Sequence, residues 1–333
     1  MEQKESDMPK YDSYDSPWKE AIEEYLPEFL ALFFAHIAQE IEWEKGYEFL
    51  DKELQKVVRE AESKERSVDK LVKVWRKPVD GRSKETWVFI HIDVQSVRKP
   101  HFDQRMLIYN YRLFDRYLQP IATLVILGDN DRSWHPKQYS HEVWGCELRL
   151  KFPTVKLLDY QTPQKWAELE QSKNPFAVVV MAHLYTKQTK HKPNERFDLK
   201  WRLVRMLYER GYSKQDVLSL FRFIDWMMAL PPELEQKLER KMIAYEEEQK
   251  VPYITSIERI GMQRGLQQGR LGTFHKNLTT VIQTRFGNVP VDITQAINAV
   301  KQESKLDQLF QYALLAESLP NFEQKLVEVA GQS

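Results

Sequence analysis

The stretch WVFIHIDVQ, residues 87–95, ends an otherwise apolar strand with an acid and an amide. Successive side chains of a strand point to opposite faces of a sheet, so His91, Asp93 and Gln95 share one face and the aliphatic residues between them share the other. The stretch therefore predicts a strand of the sheet core in which Asp93 and Gln95 lie side by side.

The flanking sequence supplies the other elements of this core. VDKLVKVWRK (68–77) is a second β-rich run, and the turn signal Asp80-Gly81 in the polar connection predicts antiparallel pairing of the two runs. GYEFLDKELQKVVREAES (46–63) and PHFDQRMLIYNYRLFDRY (100–117) have helical patterns, and IATLVILG (121–128) is typical of a strand covered on both faces. The order helix, hairpin, helix, strand predicts an α/β domain.

Composition limits the classes of protein that fit. A chain of 333 residues with 42% hydrophobic content predicts two or three globular modules, and the single Cys146 excludes an intramolecular disulfide. The start MEQKESDMPK has no apolar core, and the run FLALFFAHIA (29–38) is shorter than the ~20 residues of a membrane span. A cytoplasmic protein with no membrane contact is expected.

Charge is balanced overall and uneven locally. Lys and Arg number 49, as do Asp and Glu, so the whole chain does not attract a polyanion. The segment from Arg66 to Arg116, however, contains twelve Lys and Arg residues and six Asp and Glu residues, an excess of six positive charges. Such a segment is either a solvated face or a surface that contacts phosphates.

The pattern along the chain divides it into four parts. Residues 10–160 form the α/β domain, residues 161–250 read as a helical domain, and residues 273–333 as a small helical C-terminal module. Between them, residues 251–272 place Gly261, Gly265 and Gly269 four apart. This spacing fits a flexible charged linker and, equally, a packing helix or dimer seam, because glycine weakens a helix and also permits close approach.

The acids of the two β-rich runs form the main candidate site. Alternation puts Asp69 and Lys73 on one face of the first run, and pairing brings Asp69 and Asp93 within reach of one ion. Oxygen ligands without soft partners favour Mg²⁺ or Mn²⁺. Glu53, on the apolar side of the first helix, either turns to water or points at a cation. In the alternative interpretation, Asp69 begins its strand and Asp93 binds backbone or a basic neighbour.

These runs resemble a known family. LDKELQKVVREAE, VDKLVKV, WVFIHIDVQ and FDQRMLIYNYRLFDRY are similar to the PD-(D/E)XK-type nuclease domain of the recombination-promoting nuclease and putative transposase family. The opening YDSPWKEAIEEYLPEFLALFF (14–34) resembles its cyanobacterial-type members, and TRFGNVP (284–290) resembles a C-terminal domain of unknown function found with them. The resemblance implies an α/β, restriction-endonuclease-like core, in which a mixed sheet is flanked by helices, followed by helical modules.

The resemblance also implies roles for particular residues. It assigns Asp69 and Asp93 to the divalent metal, puts Gln95 in the place of the usual lysine, and matches Glu53 to the acid of the first core helix. The chain departs from the family pattern in two respects. Asp93 stands where glutamate is commoner, which shortens the ligand by one methylene, and two strands rather than three are discernible between the core helices.

The function implied is that of a Mg²⁺- or Mn²⁺-dependent DNA endonuclease associated with recombination or transposition, which hydrolyses phosphodiesters with water activated by the cation. Lys73 is expected to supply the cationic group that Gln95 lacks. Lys70, Arg105 and Arg112 are the expected phosphate contacts. The alternative function is a catalytically weak DNA-binding or assembly protein that retains the nuclease fold. DNA is the expected partner in both cases, and a homodimer through the glycine-spaced segment is a further expectation.

Overall fold

The computed structural model describes residues 15–51, 54, 68–78, 86–249, 256–287, 289–300 and 302–331. Contacts divide the chain into two compact units, Met1–Tyr253 and Ile254–Ser333. Within the described ranges, every helix is too short or too polar to span a bilayer.

The first unit begins with helices and continues into its strands. The described elements up to residue 156 are α1 (Asp15–Glu24), α2 (Leu26–Phe33), α3 (Ala35–Glu40), β1 (Tyr47–Phe49), β2 (Val68–Arg76), β3 (Thr86–Gln95), α4 (Phe102–Tyr117), β4 (Ile121–Leu127), β5 (Gln138–Val143), β6 (Cys146–Lys151) and β7 (Thr154–Lys156). Strands β5 and β6 form a separate hairpin.

The remaining strands of the described residues form one five-stranded mixed sheet in the order β1-β2-β3-β4-β7. Strands β1, β2 and β3 are antiparallel, whereas β3, β4 and β7 are parallel. A parallel pair needs a crossover, which α4 provides between β3 and β4. The predicted α/β class with a mixed sheet flanked by helices is confirmed.

The first predicted helix begins later than its pattern indicates. Tyr47–Phe49 is an edge strand beside β2, and the backbone N–H of Leu50 still donates to the carbonyl of Leu71 at 2.7 Å. The chain therefore leaves the sheet only after Leu50, and Asp51 and Leu54 are helical. Three residues are too few for a strand period to be visible in the sequence. Residues 55–63 and the Asp80-Gly81 turn lie outside the described residues.

Helix α4 covers the face of the sheet that carries Asp93. Tyr117 of α4 stacks on Phe89 with ring centroids 4.7 Å apart, and the edge of Tyr109 meets the ring of His91 at 5.8 Å. Phe102 and other apolar residues of the helix pack on the same face of β4. The opposite face of β2 contacts α1. The end of β3 is therefore enclosed between two layers.

Helices follow from residue 163, as the sequence pattern predicts. They are α5 (Pro163–Gln171), α6 (Pro175–Gln188), α7 (Pro193–Glu209), α8 (Lys214–Met227) and α9 (Pro232–Gln249). Helix α6 is apolar on all sides, and its Phe176 packs against Phe29 of α2 with ring centroids 5.2 Å apart. The expected domain boundary at residue 160 thus falls inside the first unit, because α6 completes the core that α1 and α2 begin.

A buried cation joins three of these helices. Lys200 of α7 is fully buried, and its Nζ donates to Asp225 of α8 at 2.7 Å and to Glu235 of α9 at 2.8 Å. Burial disfavours the charged form of this lysine, but the two carboxylates outweigh it and raise the pKa of Lys200.

The second unit is helical throughout its described part. It comprises α10 (Ser256–Phe286), α11 (Val291–Ala299), α12 (Glu303–Leu315) and α13 (Leu319–Gly331). Its core includes Leu278, Ile297, Leu309 and Phe322. The glycine-spaced residues 261–269 lie within α10, so this segment is a helix in its backbone. Gly287 ends α10 with φ +86°, a conformation that favours glycine.

His183 of α6 connects three segments of the first unit. Trp18 Nε1 of α1 donates to His183 Nδ1 at 3.2 Å, and His183 Nε2 donates to the carbonyl of Gly128, after β4, at 3.1 Å. A Cβ at Gly128 would come within 2.8 Å of the imidazole, so the contact requires glycine. Burial lowers the pKa of His183 to about 3, and Lys187 adds to the effect.

Acid is expected to destabilise the first unit through His183. Its folded pKa of about 3 lies below the ~6.5 of an unfolded histidine, so the unfolded chain binds the proton first as the pH falls. The contribution of His183 to the free energy of unfolding is present above pH ~6.5 and is lost as the pH falls below it. Between pH 7 and pH 5 the loss is about 2 kcal/mol. Urea unfolding at pH 7, 6 and 5 measures the slope. In His183→Gln, the slope of the unfolding free energy against pH should correspond to about one bound proton fewer. An unchanged slope would contradict this role of His183.

Candidate functional site

Asp93 and Gln95 lie at the C-terminal end of β3, beneath α4. Asp93 is fully buried and Gln95 is 5% exposed. The register pairs the backbone of Asp93 directly with that of Asp69 on β2. On the other side, β4 supplies the apolar neighbours Val125 and Leu127. The acid and the amide thus lie in a largely apolar setting.

Arg105 of α4 supplies the positive charge at this site. Its Nη2 donates to Gln95 Oε1 at 2.7 Å and to Asp93 Oδ2 at 3.2 Å. The guanidinium carbon lies 5.1 Å from the ring centroid of Phe102 and 6.0 Å from that of Tyr109, and the side chain is 13% exposed. The carboxylate of Asp93 and the amide oxygen of Gln95 therefore converge on one cationic group.

The donor atoms fit a hard divalent cation. A carboxylate oxygen and an amide carbonyl oxygen are ligands that Mg²⁺ and Mn²⁺ accept, and the backbone of Asp69 is directly opposite. A metal ion here would compete with Arg105 for the carboxylate of Asp93. Among the side chains that the structure describes, no group of three or more His, Cys, Asp or Glu residues is arranged to hold a metal.

Lys73, another predicted catalytic residue, is not brought to the carboxylate of Asp93. Glu53 lies outside the described residues. Lys73 is four residues along β2 from Asp69, a distance of about 13 Å at the rise of a strand. Its Nζ lies 3.7 Å from the ring centroid of Trp87, over which it forms a cation–π contact. This lysine shares the face of Asp93 but lies far from its carboxylate.

Lys70, predicted to contact phosphate, is placed on the other face of the sheet. Its side chain is 2% exposed, and its Nζ binds the carboxylates of Glu23 in α1 and Asp51 after β1. Lys70 therefore links β2 to α1 and to the segment that follows β1. A buried lysine with two carboxylate partners is not available to a phosphate beside Asp93. The alternation that places Asp69 and Lys73 on one face places Lys70 on the opposite one.

Arg105 and Arg112, the other predicted phosphate contacts, lie on α4. Arg105 binds Asp93 and Gln95, which agrees with the interpretation of Asp93 as the partner of a basic neighbour. Arg112 follows two turns later and is half-buried. The sequence pattern did not predict the contact between Arg105 and Asp93. The sequence feature that could indicate this contact is the position of Arg105, one turn into the helix that follows the strand of Asp93.

The assignment of this site rests on the buried acid, the amide and the arginine that binds both. Comparisons of the chain with protein-family models, with curated proteins and with solved structures find no match.

Proposed function

We propose that the chain is a Mg²⁺- or Mn²⁺-dependent DNA endonuclease of the PD-(D/E)XK type that acts in recombination or transposition. One observation supports the proposal: the carboxylate of Asp93 and the amide oxygen of Gln95 both face a positive charge, the guanidinium of Arg105, in a buried setting directly opposite the backbone of Asp69. The element order supports it, because an antiparallel pair, a helix and a parallel strand follow one another from β2 to β4.

Each residue has a distinct role in this mechanism. When bound, the divalent cation would make water more acidic and stabilise the negative charge that develops on the phosphate. Asp93 and Asp69 would hold it through their carboxylates. Gln95 does not titrate near neutral pH, so it orients water or a phosphate oxygen through its donor and acceptor. Arg105, released from Asp93, would keep its positive charge beside the scissile phosphate.

Nicking of supercoiled plasmid tests the proposed activity. We expect open-circular product with Mg²⁺ or Mn²⁺ and none with excess chelator, because the cation is required for charge stabilisation. Restoring the metal after chelation should restore the product. Cleavage that continues in chelator, or no cleavage with either metal, would contradict the proposal.

Gln95 is expected to accelerate cleavage without being indispensable. Gln95→Ala should slow single-turnover cleavage by roughly 10- to 1,000-fold, the range for loss of one oriented polar group. Gln95→Lys should retain measurable activity, since a lysine donor can take the same place. Gln236→Ala, on the exposed surface of α9, is the matched control. If Gln95→Ala cleaves as fast as the parent, the amide only fills space under α4.

A second candidate is a DNA-binding or assembly protein without turnover. The ion pair between Arg105 and Asp93 favours it, because the acid is neutralised by the protein itself. In that case the chain should retard DNA in a gel without cleaving it, in metal and in chelator alike. The binding should still weaken steeply with salt, because phosphate contacts release counterions.

A further inference from the structure

A pocket of about 410 Å³ lies beyond the C-terminal ends of the parallel strands β3 and β4. One wall is the loop after β3 with the first turn of α4, and the other is part of the loop after β4. The lining residues are Arg98 to Asp103 and Ser133 to Pro136. The volume is within the range of small-ligand sites. Arg105 lies one turn further along α4 than Phe102, so the pocket is adjacent to the Asp93 site.

The pocket combines positive charge with an aromatic ring. Arg98 and Lys99 line it against one acid, Asp103. Arg98 also pairs with Asp131 at 2.8 Å, yet its side chain remains 63% exposed. Trp134 is half-buried, and its indole lies at 75° to the ring of Phe102 with ring centroids 5.3 Å apart. The Nζ of Lys156 lies 5.6 Å from the indole centroid, so the base would stack on the side away from this lysine. The lining thus offers cations for a phosphate and an aromatic ring for a base.

Two lysines, from β7 and α6, hold the loop that carries Trp134 in place. Lys156 of β7 is 1% exposed and donates to Asp129 Oδ2 at 2.5 Å, to the carbonyl of Asp131 at 2.7 Å and to that of Trp134 at 3.3 Å. On the far side, Lys187 of α6 donates to Asn130 at 3.2 Å. A buried lysine that binds three points of one loop fixes the position of the indole.

The N-terminus of α4 opens into the same pocket. The first N–H groups of a helix have no acceptor within the helix, and this end attracts anions. The residue before the helix, His101, makes no side-chain capping bond and has φ +52°, which residues with a side chain rarely adopt. The positive end of a 16-residue helix is therefore presented beside Arg98 and Lys99.

We propose that this pocket holds one unpaired nucleotide of a single-stranded DNA segment. The base stacks on Trp134, and the phosphate lies at the N-terminus of α4 beside Arg98 and Lys99. A base inside a duplex is covered on both sides by its neighbours, so only an unpaired base reaches the indole. The inference rests on the proposed function for DNA as the substrate. It adds that the segment next to the Asp93 site is single-stranded.

Fluorescence anisotropy with a labelled twelve-residue oligothymidylate, in chelator, tests the pocket apart from cleavage. We expect the single strand to bind at least ~10-fold more tightly than the same strand in a duplex. Trp134→Leu should weaken this binding by about 10-fold or more, the effect of losing one stacked base, whereas Trp134→Phe should retain most of it. Arg98→Gln should also weaken binding and reduce its salt dependence.

Matched controls separate the pocket from general changes. Trp144→Leu removes a fully exposed tryptophan at the tip of the β5–β6 hairpin, and Arg149→Gln removes an arginine from β6; both should bind like the parent. Circular dichroism of each variant confirms folding. If Trp134→Leu does not fold, Arg98→Gln decides the matter. Parental affinity of Arg98→Gln, and of Trp134→Leu where it folds, overturns the inference, as does equal binding of single strand and duplex.

Two further results separate this inference from the proposed function. Single-strand binding that depends on Trp134 in a chain that never nicks plasmid supports the pocket and refutes the nuclease. If the parent nicks plasmid and the Trp134→Leu variant binds the oligonucleotide normally, the nuclease is supported and the pocket is refuted. Thymidine monophosphate that displaces the oligonucleotide at equal concentration would identify a free nucleotide as the ligand and overturn the assignment to a strand.

Discussion

Plasmid cleavage is expected to fall by about 10³-fold or more when Asp93 is replaced by asparagine. Asparagine has nearly the shape of aspartate and can still accept the hydrogen bond from Arg105, so the enclosed end of β3 should keep its packing. It lacks the negative charge that holds a divalent cation and through it the developing charge of the reaction. Single-turnover cleavage at saturating metal measures the loss, and calorimetric titration with Mn²⁺ measures the change in metal affinity.

The control for this variant is Asp115→Asn, which neutralises an exposed acid on the outer side of α4. It should cleave like the parent. If Asp93→Asn also cleaves like the parent, Asp93 is not a metal ligand, and its role is limited to the ion pair with Arg105. Loss of cleavage with unchanged metal affinity would place the cation elsewhere.

The strand-level part of the site was predictable from the sequence. A period of two determines which residues share a face, so the adjacency of Asp93 and Gln95 follows from the sequence of β3. The register confirms that the backbones of Asp69 and Asp93 pair directly. The same rule places Lys70 on the opposite face. Positive charge summed along a segment does not show the face on which each lysine lies, so the pairing of Lys70 with Glu23 and Asp51 did not follow from it.

The parts that depend on tertiary packing were not predictable. The contact between Arg105 and Asp93 requires α4 to lie across β3, and no local pattern gives that angle. The pocket is formed by two loops that are distant in sequence and adjacent only because β3 and β4 are parallel neighbours. His183 likewise meets Trp18 and Gly128 from separate segments. Such sites arise from topology, whereas the sequence pattern indicates only the separate elements.

Arg105 determines whether a metal can bind, because the guanidinium and a divalent cation compete for the carboxylate of Asp93. In the absence of metal, replacing Arg105 by methionine is expected to lower the free energy of unfolding by about 3–5 kcal/mol, the usual cost of removing one partner of a buried ion pair. The buried carboxylate of Asp93 would lose the guanidinium that faces it. Urea unfolding in chelator measures this cost. Arg116→Met, at an exposed position on α4, should cost less than about 1 kcal/mol.

Adding Mg²⁺ or Mn²⁺ should then stabilise Arg105→Met more than the parent, since the metal no longer competes with the guanidinium. A ligand at 100 times its dissociation constant contributes about 2.7 kcal/mol, so much of the loss should be recovered. The double variant with Asp93→Asn should be more stable in chelator than Arg105→Met alone and should gain little from metal, because the buried charge is absent. Equal stabilisation of parent, single and double variants by metal would show that the cation binds away from Asp93 and Gln95. That result would favour a protein that binds DNA without cleaving it.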